Sequence, residues 1–313
     1  MSLAFVFPGQ GAQTIGMGRD LATAYPAAQA VFDEVDAALG EPLSALIWDG
    51  DIETLTLTEN AQPALMATSL AAVRALEAEG VTISSAAFVA GHSLGEYSAL
   101  CAAGALNLSD TARLLRLRGQ AMQSAVPVGE GAMAAVLGLD IAAVEALAAD
   151  AAEGEVCEVA NENDPAQTVV SGSKSAIDRV VAMAKERGAK RALPLPVSAP
   201  FHSALMQPAA EAMAAALDDV TISSPSVPVV ANVTAEPASD PDVIRKLLVA
   251  QVAGRVRWRA SVERMATEGV DVFCELGAGK ALTGMIRRIA KEAETRAVGT
   301  PSDVVAAAEA LTA

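Results

Sequence analysis

One short turn constrains this chain more than any other feature. The turn is Gly91-His92-Ser93-Leu94-Gly95, and it joins an apolar run at residues 86–90 to a helical stretch with the sequence EYSALCAAGAL. A buried strand, a tight glycine turn and a helix in succession are typical of an α/β fold. In a G-x-S-x-G turn the serine stands at the end of the strand, and the flanking glycines let neighbouring backbone crowd the turn. Ser93 is therefore a candidate nucleophile.

The backbone that follows Ser93 offers groups that a serine nucleophile needs. The first turn of the helix has N–H groups without helical partners, and the positive end of the helix dipole lies there as well. Both would face the negative oxygen of a tetrahedral intermediate formed on Ser93. The N–H group of Leu94 is accordingly the first candidate donor to that oxygen.

A serine nucleophile also needs a base within hydrogen-bonding reach, and the chain has only two histidines. His92 is a poor base, because adjacent residues of such a turn generally point apart. His202 lies in the segment Ala199-Pro200-Phe201-His202-Ser203. Free imidazole titrates near pH ~6.5, so it can accept and return a proton at neutral pH. We predict that His202 is the base.

The spacing leaves open which group orients His202. α/β-Hydrolases carry an acidic residue between the serine and the histidine in chain order. Asp140, Asp164 and Asp178 fall in this interval, but all three lie in a segment that is predicted to form a separate small domain. A Ser–His pair oriented by a backbone carbonyl is therefore an alternative to a triad.

Strands and helices alternate through most of the chain. Short apolar runs predict strands at 3–7, 86–90, 227–231 and 270–276. Helical periodicity predicts helices at 17–39, 60–79, 109–125, 203–218, 240–251 and 257–268, and Gly277-Ala278-Gly279-Lys280 opens one more. Asn60 is the predicted N-cap of the second helix, with Pro63 in its first turn.

A different rhythm between residues 128 and 196 indicates a second domain. Four strands and two helices are predicted there, at 131–138, 140–152, 156–160, 167–171, 174–187 and 190–195. Their order is β-α-β-β-α-β, which is the ferredoxin-like arrangement. We therefore predict an α/β protein with a large α/β-hydrolase-like domain on a parallel sheet, residues 1–127 and 197–313. The small ferredoxin-like domain, residues 128–196, is inserted in it.

The net charge argues against two classes of binding partner, whereas the apolar runs and the cysteines bear on the expected cellular location. The formal net charge of −16 over 313 residues disfavours nucleic acid and anionic membrane surfaces. No run of 18 uncharged apolar residues is present, and the short apolar start is interpreted as a strand instead of a signal peptide. Cys101, Cys157 and Cys274 lack metal or C-x-x-C spacing, so reduced thiols in a cytoplasmic protein are expected.

Five motifs in one order resemble a known family. They are Phe7-Pro8-Gly9-Gln10-Gly11, Gly91–Tyr97, Arg118-Gly119, Gly131-Ala132-Met133-Ala134-Ala135 and Ala199–Ser203. Together they resemble the malonyl-CoA:acyl-carrier-protein transacylases of type II fatty acid synthesis, and the related acyltransferase domains of polyketide synthases. The resemblance extends to about residue 290.

The resemblance assigns roles at matching positions. Ser93 matches the acyl-accepting nucleophile and His202 its base. Gln10 matches a second oxyanion donor, through its backbone N–H, beside Leu94. Gln251 matches the residue whose main-chain carbonyl orients the histidine, which would explain the absence of a readable acid.

Two further positions concern the acyl group. Arg118 matches the arginine that pairs with the free carboxylate of malonyl. A planar guanidinium holds a carboxylate through two parallel hydrogen bonds, which lysine cannot do. Phe201 matches a position where, in related domains, a bulky aromatic accompanies malonyl and smaller residues accompany methylmalonyl.

The resemblance implies transfer of malonyl from malonyl-CoA to the phosphopantetheine thiol of acyl carrier protein, through a malonyl-serine and a ping-pong scheme. It implies no metal or redox cofactor, and a monomer. The alternatives are a stand-alone acyltransferase of a polyketide synthase or a malonate decarboxylase, a serine hydrolase of acyl thioesters, and a non-catalytic carrier-binding protein.

An acidic chain needs a local basic patch to bind an acidic carrier. The candidates lie in two basic stretches and are Lys174, Arg179, Lys185, Arg187, Lys190, Arg191, Arg287 and Arg288. Ordinary solvated helix faces are the alternative interpretation of these residues.

Overall fold

The computed structural model describes residues 2–197 and 199–312, which form two sheets with surrounding helices. The strands are β1 Leu3–Phe7, β2 Phe88–Gly91, β3 Gly131–Leu137, β4 Cys157–Asp164, β5 Gln167–Ser173, β6 Arg191–Pro194, β7 Val229–Val230, β8 Pro237–Ala238, β9 Val272–Leu276 and β10 Glu294–Val298.

Fourteen α-helices cover or connect these strands within the described residues. They are α1 Arg19–Ala24, α2 Pro26–Leu39, α3 Leu43–Asp49, α4 Ile52–Thr56, α5 Thr58–Ala78, α6 Gly95–Ala102, α7 Leu108–Ser124, α8 Ile141–Ala152, α9 Lys174–Met183, α10 Gln207–Asp218, α11 Pro241–Ala253, α12 Trp258–Thr267, α13 Ala281–Ile289 and α14 Pro301–Thr312. None of these helices has the length and hydropathy needed to cross a membrane.

The main sheet has the strand order β10-β9-β1-β2-β7-β8, and only the edge strand β8 runs antiparallel to its neighbour. All five residues of β1 are buried, because helices cover both faces of the sheet. Leu3, Phe5 and Phe7 pack into one core cluster, whereas Ala4 and Val6 pack into the cluster on the opposite face. This alternation is the two-residue period of a strand.

The small sheet has the order β4-β5-β3-β6 and is antiparallel throughout. Helices α8 and α9 supply a separate apolar core for it, which includes Leu147 and Ile177. The loop residue Val256 joins β4 to the large part of the chain, since its N–H donates to Ala160 and its carbonyl accepts from Glu162. This contact brings β4 next to the carboxyl ends of β1 and β2.

The parallel main sheet and the small antiparallel sheet confirm the predicted α/β class. Several local predictions differ from the structure. The single helix predicted over 17–39 is two helices, because Pro26 begins α2 and disfavours helical backbone at Tyr25. Asn60 lies inside α5 instead of capping it, and its Nδ2 donates to the carbonyl of Thr54.

Five elements were absent from the sequence-based prediction: α3, α4, β8, β10 and α14. Strand β10 was not predicted because it begins with three polar residues, Glu294, Thr295 and Arg296. It lies at the edge of the sheet, where a strand does not need a continuous apolar run. In contrast, the strand predicted over 227–231 is shorter than expected, since only β7 pairs with β2.

Candidate active site

A cavity of about 270 Å³ opens where the small sheet faces the carboxyl ends of β1 and β2. Gln10 and Ser93 line it from the loops after these two strands. Met133 and Asn161 line it from the small sheet, and His202 lies on its wall. The cavity therefore collects most of the site residues that the sequence predicts.

The turn at Ser93 is as tight as the sequence indicates. Ser93 adopts a left-handed backbone with φ of 54°, which is uncommon outside glycine. A Cβ atom on Gly91 would lie 1.9 Å from the carbonyl carbon of Gly95, and one on Gly95 would lie 2.3 Å from the carbonyl oxygen of Phe7. Side chains at either position are excluded by backbone, so the two glycines are required by close approach.

His202 is placed to act on the hydroxyl of Ser93. Its Nε2 lies 2.7 Å from Oγ of Ser93. Its Nδ1 lies 2.9 Å from the carbonyl oxygen of Gln251 and 3.1 Å from that of Gly254. Because a carbonyl can only accept, the proton is on Nδ1 and the lone pair of Nε2 faces the serine. No described aspartate or glutamate forms a hydrogen bond with this histidine.

His202 is neutral in this environment. The pKa of His202 is lowered to about 3. Burial is the largest cause, and the positive charge of Arg118 also contributes. A neutral imidazole is the form that can accept a proton from Ser93.

Two backbone N–H groups next to Ser93 are free to bind an anion. The N–H groups of Gln10 and Leu94 have no hydrogen-bond acceptor in the part of the chain that the structure describes, and both residues line the cavity. The N–H of Ser93 itself is occupied, since it donates to Oδ1 of Asn232 at 2.8 Å. Gln10 and Leu94 thus have two N–H groups available to an anionic oxygen bound next to Ser93.

Arg118 is a buried cation at the side of the cavity, with only 1% of its surface exposed. Its Nη1 donates to Oε1 of Gln62 at 2.7 Å, and its Nη2 donates to Oε1 of Gln251 at 2.9 Å. No carboxylate of a described residue lies within 4.0 Å of it. Burial lowers the pKa of Arg118, while Tyr97 and Glu96 oppose that shift. A buried guanidinium without a carboxylate partner is suited to an anionic ligand.

His92 has a different environment from His202, although it also lines the cavity. Its Nε2 lies 2.9 Å from Oδ1 of Asn163 on β4, and its ring packs 5.9 Å from that of Trp258. Burial lowers the pKa of His92. No hydrogen bond joins it to Ser93 among the described residues, so the geometry offers His202 alone as a base.

The remaining predicted residues are distributed between the cavity and the surface. Phe201 is buried and lines the cavity beside His202, together with Met122 and Leu195. These side chains form an apolar wall around the space next to Ser93.

No group of three or more His, Cys, Asp or Glu side chains within residues 2–197 and 199–312 is arranged to hold a metal ion.

The basic residues predicted for carrier binding fall into two sets. Five of them are engaged: Lys174 with Asp178, Arg179 with Glu153 and Glu155, Arg187 with Asp150, Arg287 with Thr295, and Arg288 with Asp164. The exposed side chains of Lys185, Lys190 and Arg191 form no ion pair with a described residue. The latter two lie at the start of β6, whose far end leads to Leu195, Pro196 and Val197 at the cavity.

Several polar residues of the site were not identified from the sequence, among them Gln62, Glu96, Asn163 and Asn232. Asn232 gave a signal that could have been used, because it follows a strand of the parallel sheet at the edge where sites form. Glu96 gave another, as the one acid in an otherwise apolar helical stretch. Gln62 and Asn163 gave none, since their partners are distant in the sequence.

Residues 4–306 match the family model described as acyl transferase domain. The malonyl CoA-acyl carrier protein transacylase of Bacillus subtilis is 46% identical over 310 residues, which is 99% of this chain and 97% of that relative. The Bartonella henselae structure of acyl-carrier-protein-S-malonyltransferase has a TM-score of 0.98 and 54% identity, and covers 100% of both chains. A type II polyketide synthase acyl-carrier protein in complex with its malonyl-transacylase matches with a TM-score of 0.96 and 41% identity, over 99% of this chain and 100% of that chain.

Proposed function

The chain belongs to the acyl transferase family, and on this premise we propose that it transfers malonyl from malonyl-CoA to the phosphopantetheine thiol of an acyl carrier protein. The reaction supplies malonyl units for fatty acid synthesis. The names of its relatives support the donor and the acceptor, and one related transacylase has been solved in complex with a carrier.

One structural observation carries the choice of acyl group: the buried Arg118, which has no carboxylate partner among the described residues. A neutral acyl chain would leave this guanidinium without a carboxylate in direct contact, whereas the free carboxylate of malonyl supplies one. Nη2 of Arg118 lies 3.2 Å from Oγ of Ser93. The arginine is therefore next to the atom that would carry the acyl group, where the terminal carboxylate of a three-carbon diacid can reach it.

The first half of the reaction forms the ester. His202 accepts the proton of Ser93 as Oγ attacks the thioester carbonyl, and the carbonyl oxygen becomes an oxyanion held by the N–H groups of Gln10 and Leu94. The carbon–sulfur bond then breaks, and coenzyme A leaves as a thiol with the proton from His202. The carbonyl of Gln251 holds the imidazolium through Nδ1 meanwhile.

The second half reverses this chemistry with a new thiol. The phosphopantetheine thiol of the carrier enters the cavity and gives its proton to His202, and its sulfur attacks the malonyl ester. Oγ of Ser93 leaves and recovers the proton from His202. The same oxyanion donors serve both halves, so no metal ion or redox cofactor is required by the scheme.

Phe201 is proposed to limit the size of the acyl group. It is buried on the cavity wall next to His202, where a branch on the second carbon of the acyl group would need space. A bulky aromatic side chain at this position favours malonyl over methylmalonyl by steric exclusion.

Carrier binding is proposed to use Lys185, Lys190 and Arg191. These exposed cations are available to acidic groups of a carrier, in contrast to the residues already engaged in ion pairs. Strand β6 connects Lys190 and Arg191 to the cavity wall, so a carrier bound there lies close to the entrance. We also propose that the protein is a monomer and that it is cytoplasmic. Its three free cysteines support the cytoplasmic location.

A second candidate function is malonyl transfer to the carrier of a polyketide synthase. The similarity to a transacylase solved with such a carrier favours this candidate. Both candidates share the same chemistry at Ser93, and they differ only in the surface of the acceptor protein.

The experiment that tests the proposal measures the ester directly. The protein is incubated with malonyl-CoA alone, quenched in acid and analysed by intact mass, before and after addition of a holo acyl carrier protein. We expect a malonyl adduct on wild type that is lost to the carrier, and no adduct on Ser93→Ala. Steady release of coenzyme A without adduct or carrier product would instead indicate a hydrolase, and no adduct with no release would exclude malonyl-CoA as the donor.

A further inference from the structure

Glu96 is a buried acid behind the nucleophile that the reaction scheme does not use. It lies in the first turn of α6 and is only 2% exposed. An acidic side chain in an apolar environment is costly unless it receives hydrogen bonds. The hydrogen bonds that Glu96 accepts therefore indicate the role of a buried acid at this position.

Two hydrogen bonds converge on one oxygen of Glu96. Oε2 accepts from the backbone N–H of Asn232 at 2.9 Å and from Nε2 of Gln251 at 2.9 Å. Each of these residues also holds the main chain of Ser93. Oδ1 of Asn232 accepts the N–H of Ser93 at 2.8 Å, and Nε2 of Gln251 donates to the carbonyl of Ser93 at 2.9 Å. Both polar backbone groups of the nucleophile are thus held by residues that meet at Glu96.

This support is located where the backbone is strained. Ser93 has φ of 54°, and a side-chain-bearing residue keeps such a conformation only when its surroundings determine it from several directions. The two amide side chains supply such constraints. They in turn depend on Glu96, because without it Asn232 has a buried N–H group that lacks an acceptor.

Glu96 also determines which way the amide of Gln251 faces. Oε2 of Glu96 acts as the acceptor in this arrangement, so the NH₂ group of Gln251 points toward it. The opposite atom, Oε1 of Gln251, then faces Arg118 and accepts from its Nη2 at 2.9 Å. The direction of the guanidinium is therefore coupled to Glu96 through a single side chain.

We propose that Glu96 is a positioning residue for acyl transfer, which holds Ser93 through Asn232 and Gln251 and directs Arg118 toward the acyl carboxylate through Gln251. The inference rests on the proposed function, since it assumes that Arg118 binds that carboxylate. Its role is that of a hydrogen-bond acceptor at a fixed position, and the negative charge is secondary.

Three substitutions of Glu96 distinguish the position of its acceptor oxygen from its negative charge. Glu96→Gln keeps an oxygen at the same distance, and one oxygen is enough because both donors converge on Oε2. Glu96→Asp keeps the acid but withdraws it by one methylene, and Glu96→Met fills the space without an acceptor. Burial raises the pKa of Glu96 to about 7, so the neutral amide resembles in charge the protonated form that the native side chain partly adopts near neutral pH.

Glu275 provides a matched control in the same protein. It is a buried glutamate whose pKa is raised by burial, and it accepts from the N–H groups of Leu282 and Thr283. No hydrogen bond links it to Ser93, Gln251 or Arg118. Glu275→Asp therefore reports what loss of a buried acceptor does when only stability is affected.

The test compares malonyl-CoA with acetyl-CoA, which lacks the terminal carboxylate. Single-turnover acylation of Ser93 is measured for each donor in wild type and in all four variants, with folding checked by circular dichroism. For Glu96→Asp and Glu96→Met we expect malonyl acylation to slow by about tenfold, and the malonyl-over-acetyl ratio to fall. For Glu96→Gln and Glu275→Asp we expect the ratio to stay within about twofold of wild type.

The outcomes distinguish this inference from the proposed function. A wild type that forms no malonyl ester contradicts the function itself. A wild type that forms it, with an unchanged donor ratio in Glu96→Asp or Glu96→Met, overturns only the role of Glu96. Either of these variants decides the question if the other does not fold. A fall of the ratio in Glu96→Gln also overturns it, because the charge and not the acceptor would then matter.

Discussion

Nη2 of Arg118 lies 3.2 Å from Oγ of Ser93, so the buried cation and the nucleophile are in direct contact. His202 lies 2.7 Å from the same oxygen. The arginine consequently has two effects. It offers a partner to the carboxylate of a malonyl group, and its charge disfavours a proton on the histidine.

The first effect predicts a loss of donor preference in Arg118→Ala. Two charge-assisted hydrogen bonds to the carboxylate disappear, so kcat/KM for malonyl-CoA should fall by about 100-fold or more, while acetyl-CoA changes much less. Arg118→Lys should recover only part of the loss, because an ammonium group cannot bind a carboxylate through two parallel bonds.

The measurement is the malonyl-over-acetyl ratio of kcat/KM, with Arg113→Ala as control. Arg113 lies on the same helix, but it is exposed and pairs with Asp110. An equal loss for both donors in Arg118→Ala would mean that the arginine maintains the site without selecting the acyl group.

The second effect predicts an unusual pH profile. The pKa of His202 is lowered to about 3, so the histidine stays neutral well below the pH ~6.5 at which free imidazole gains a proton. The kcat/KM of Ser93 acylation should thus stay level from pH 8 to about pH 5, where an ordinary histidine would already be protonated.

Arg118→Ala provides the comparison for this profile. Loss of the positive charge lets the pKa of His202 rise, so the decline of kcat/KM on the acid side should move to higher pH. Acylation that halves near pH 6.5 in wild type would contradict the lowered pKa, as would identical profiles for the two proteins.

Charge reversal at Lys190 and Arg191 should weaken carrier binding without affecting the first half-reaction. We expect the KM for holo carrier to rise severalfold in Lys190→Glu/Arg191→Glu, and the effect to shrink at high salt. The rate of Ser93 acylation by malonyl-CoA should be unchanged, since both residues lie outside the cavity lining.

Lys246→Glu/Lys280→Glu is a suitable control for this pair. It makes the same change in net charge at two exposed lysines that lie outside β6 and outside the cavity lining. An equal rise of KM in both double variants would show a general electrostatic effect, and no rise in either would exclude β6 as a docking site.

Substitution of Gly95 should destabilise the protein. A Cβ atom there lies 2.3 Å from the carbonyl oxygen of Phe7, so Gly95→Ala forces backbone apart at a cost of about 1–3 kcal/mol. Gly284→Ala is the matched control, because the atom nearest to the added Cβ, apart from adjacent backbone, is Nη1 of Arg288 in the same helix, 3.9 Å away. Alanine in that helix should add about 0.5–1 kcal/mol to the free energy of unfolding. Urea unfolding of the two variants checks both signs.

The buried acid Glu96 should make stability depend on pH. Its pKa is about 7 in the folded protein, against a model value of 4.5. The folded state therefore binds the proton more tightly, and this contribution to stability is present below pH 4.5 and is lost as the pH rises through 7. Glu96→Gln has no titrating group at this position, so its stability does not lose this contribution. The free energy of unfolding of the variant minus that of wild type should therefore increase between pH 5 and pH 8. A constant difference between the two proteins would contradict the raised pKa.

Local sequence determined a large part of this protein. The apolar run, the turn at Ser93 and the helix after it predict the α/β class, because each depends on residues that are neighbours in the chain. Periodicity alone also predicted the strands and helices of the small sheet. The presence of only two histidines made His202 the candidate base by elimination. Family resemblance, and not spacing, pointed to Gln10, Arg118 and Gln251.

Only the tertiary structure decided how these residues support one another. Asn232 and Gln251 lie 139 and 158 positions from Ser93 in the chain, yet both bind its backbone and meet around one oxygen of Glu96. No local pattern encodes such a meeting, because it depends on how β2, β7 and α11 are placed together by packing. The same holds for the lack of a carboxylate beside Arg118, which is a property of the packed interior and cannot be read from the residues next to it in the chain.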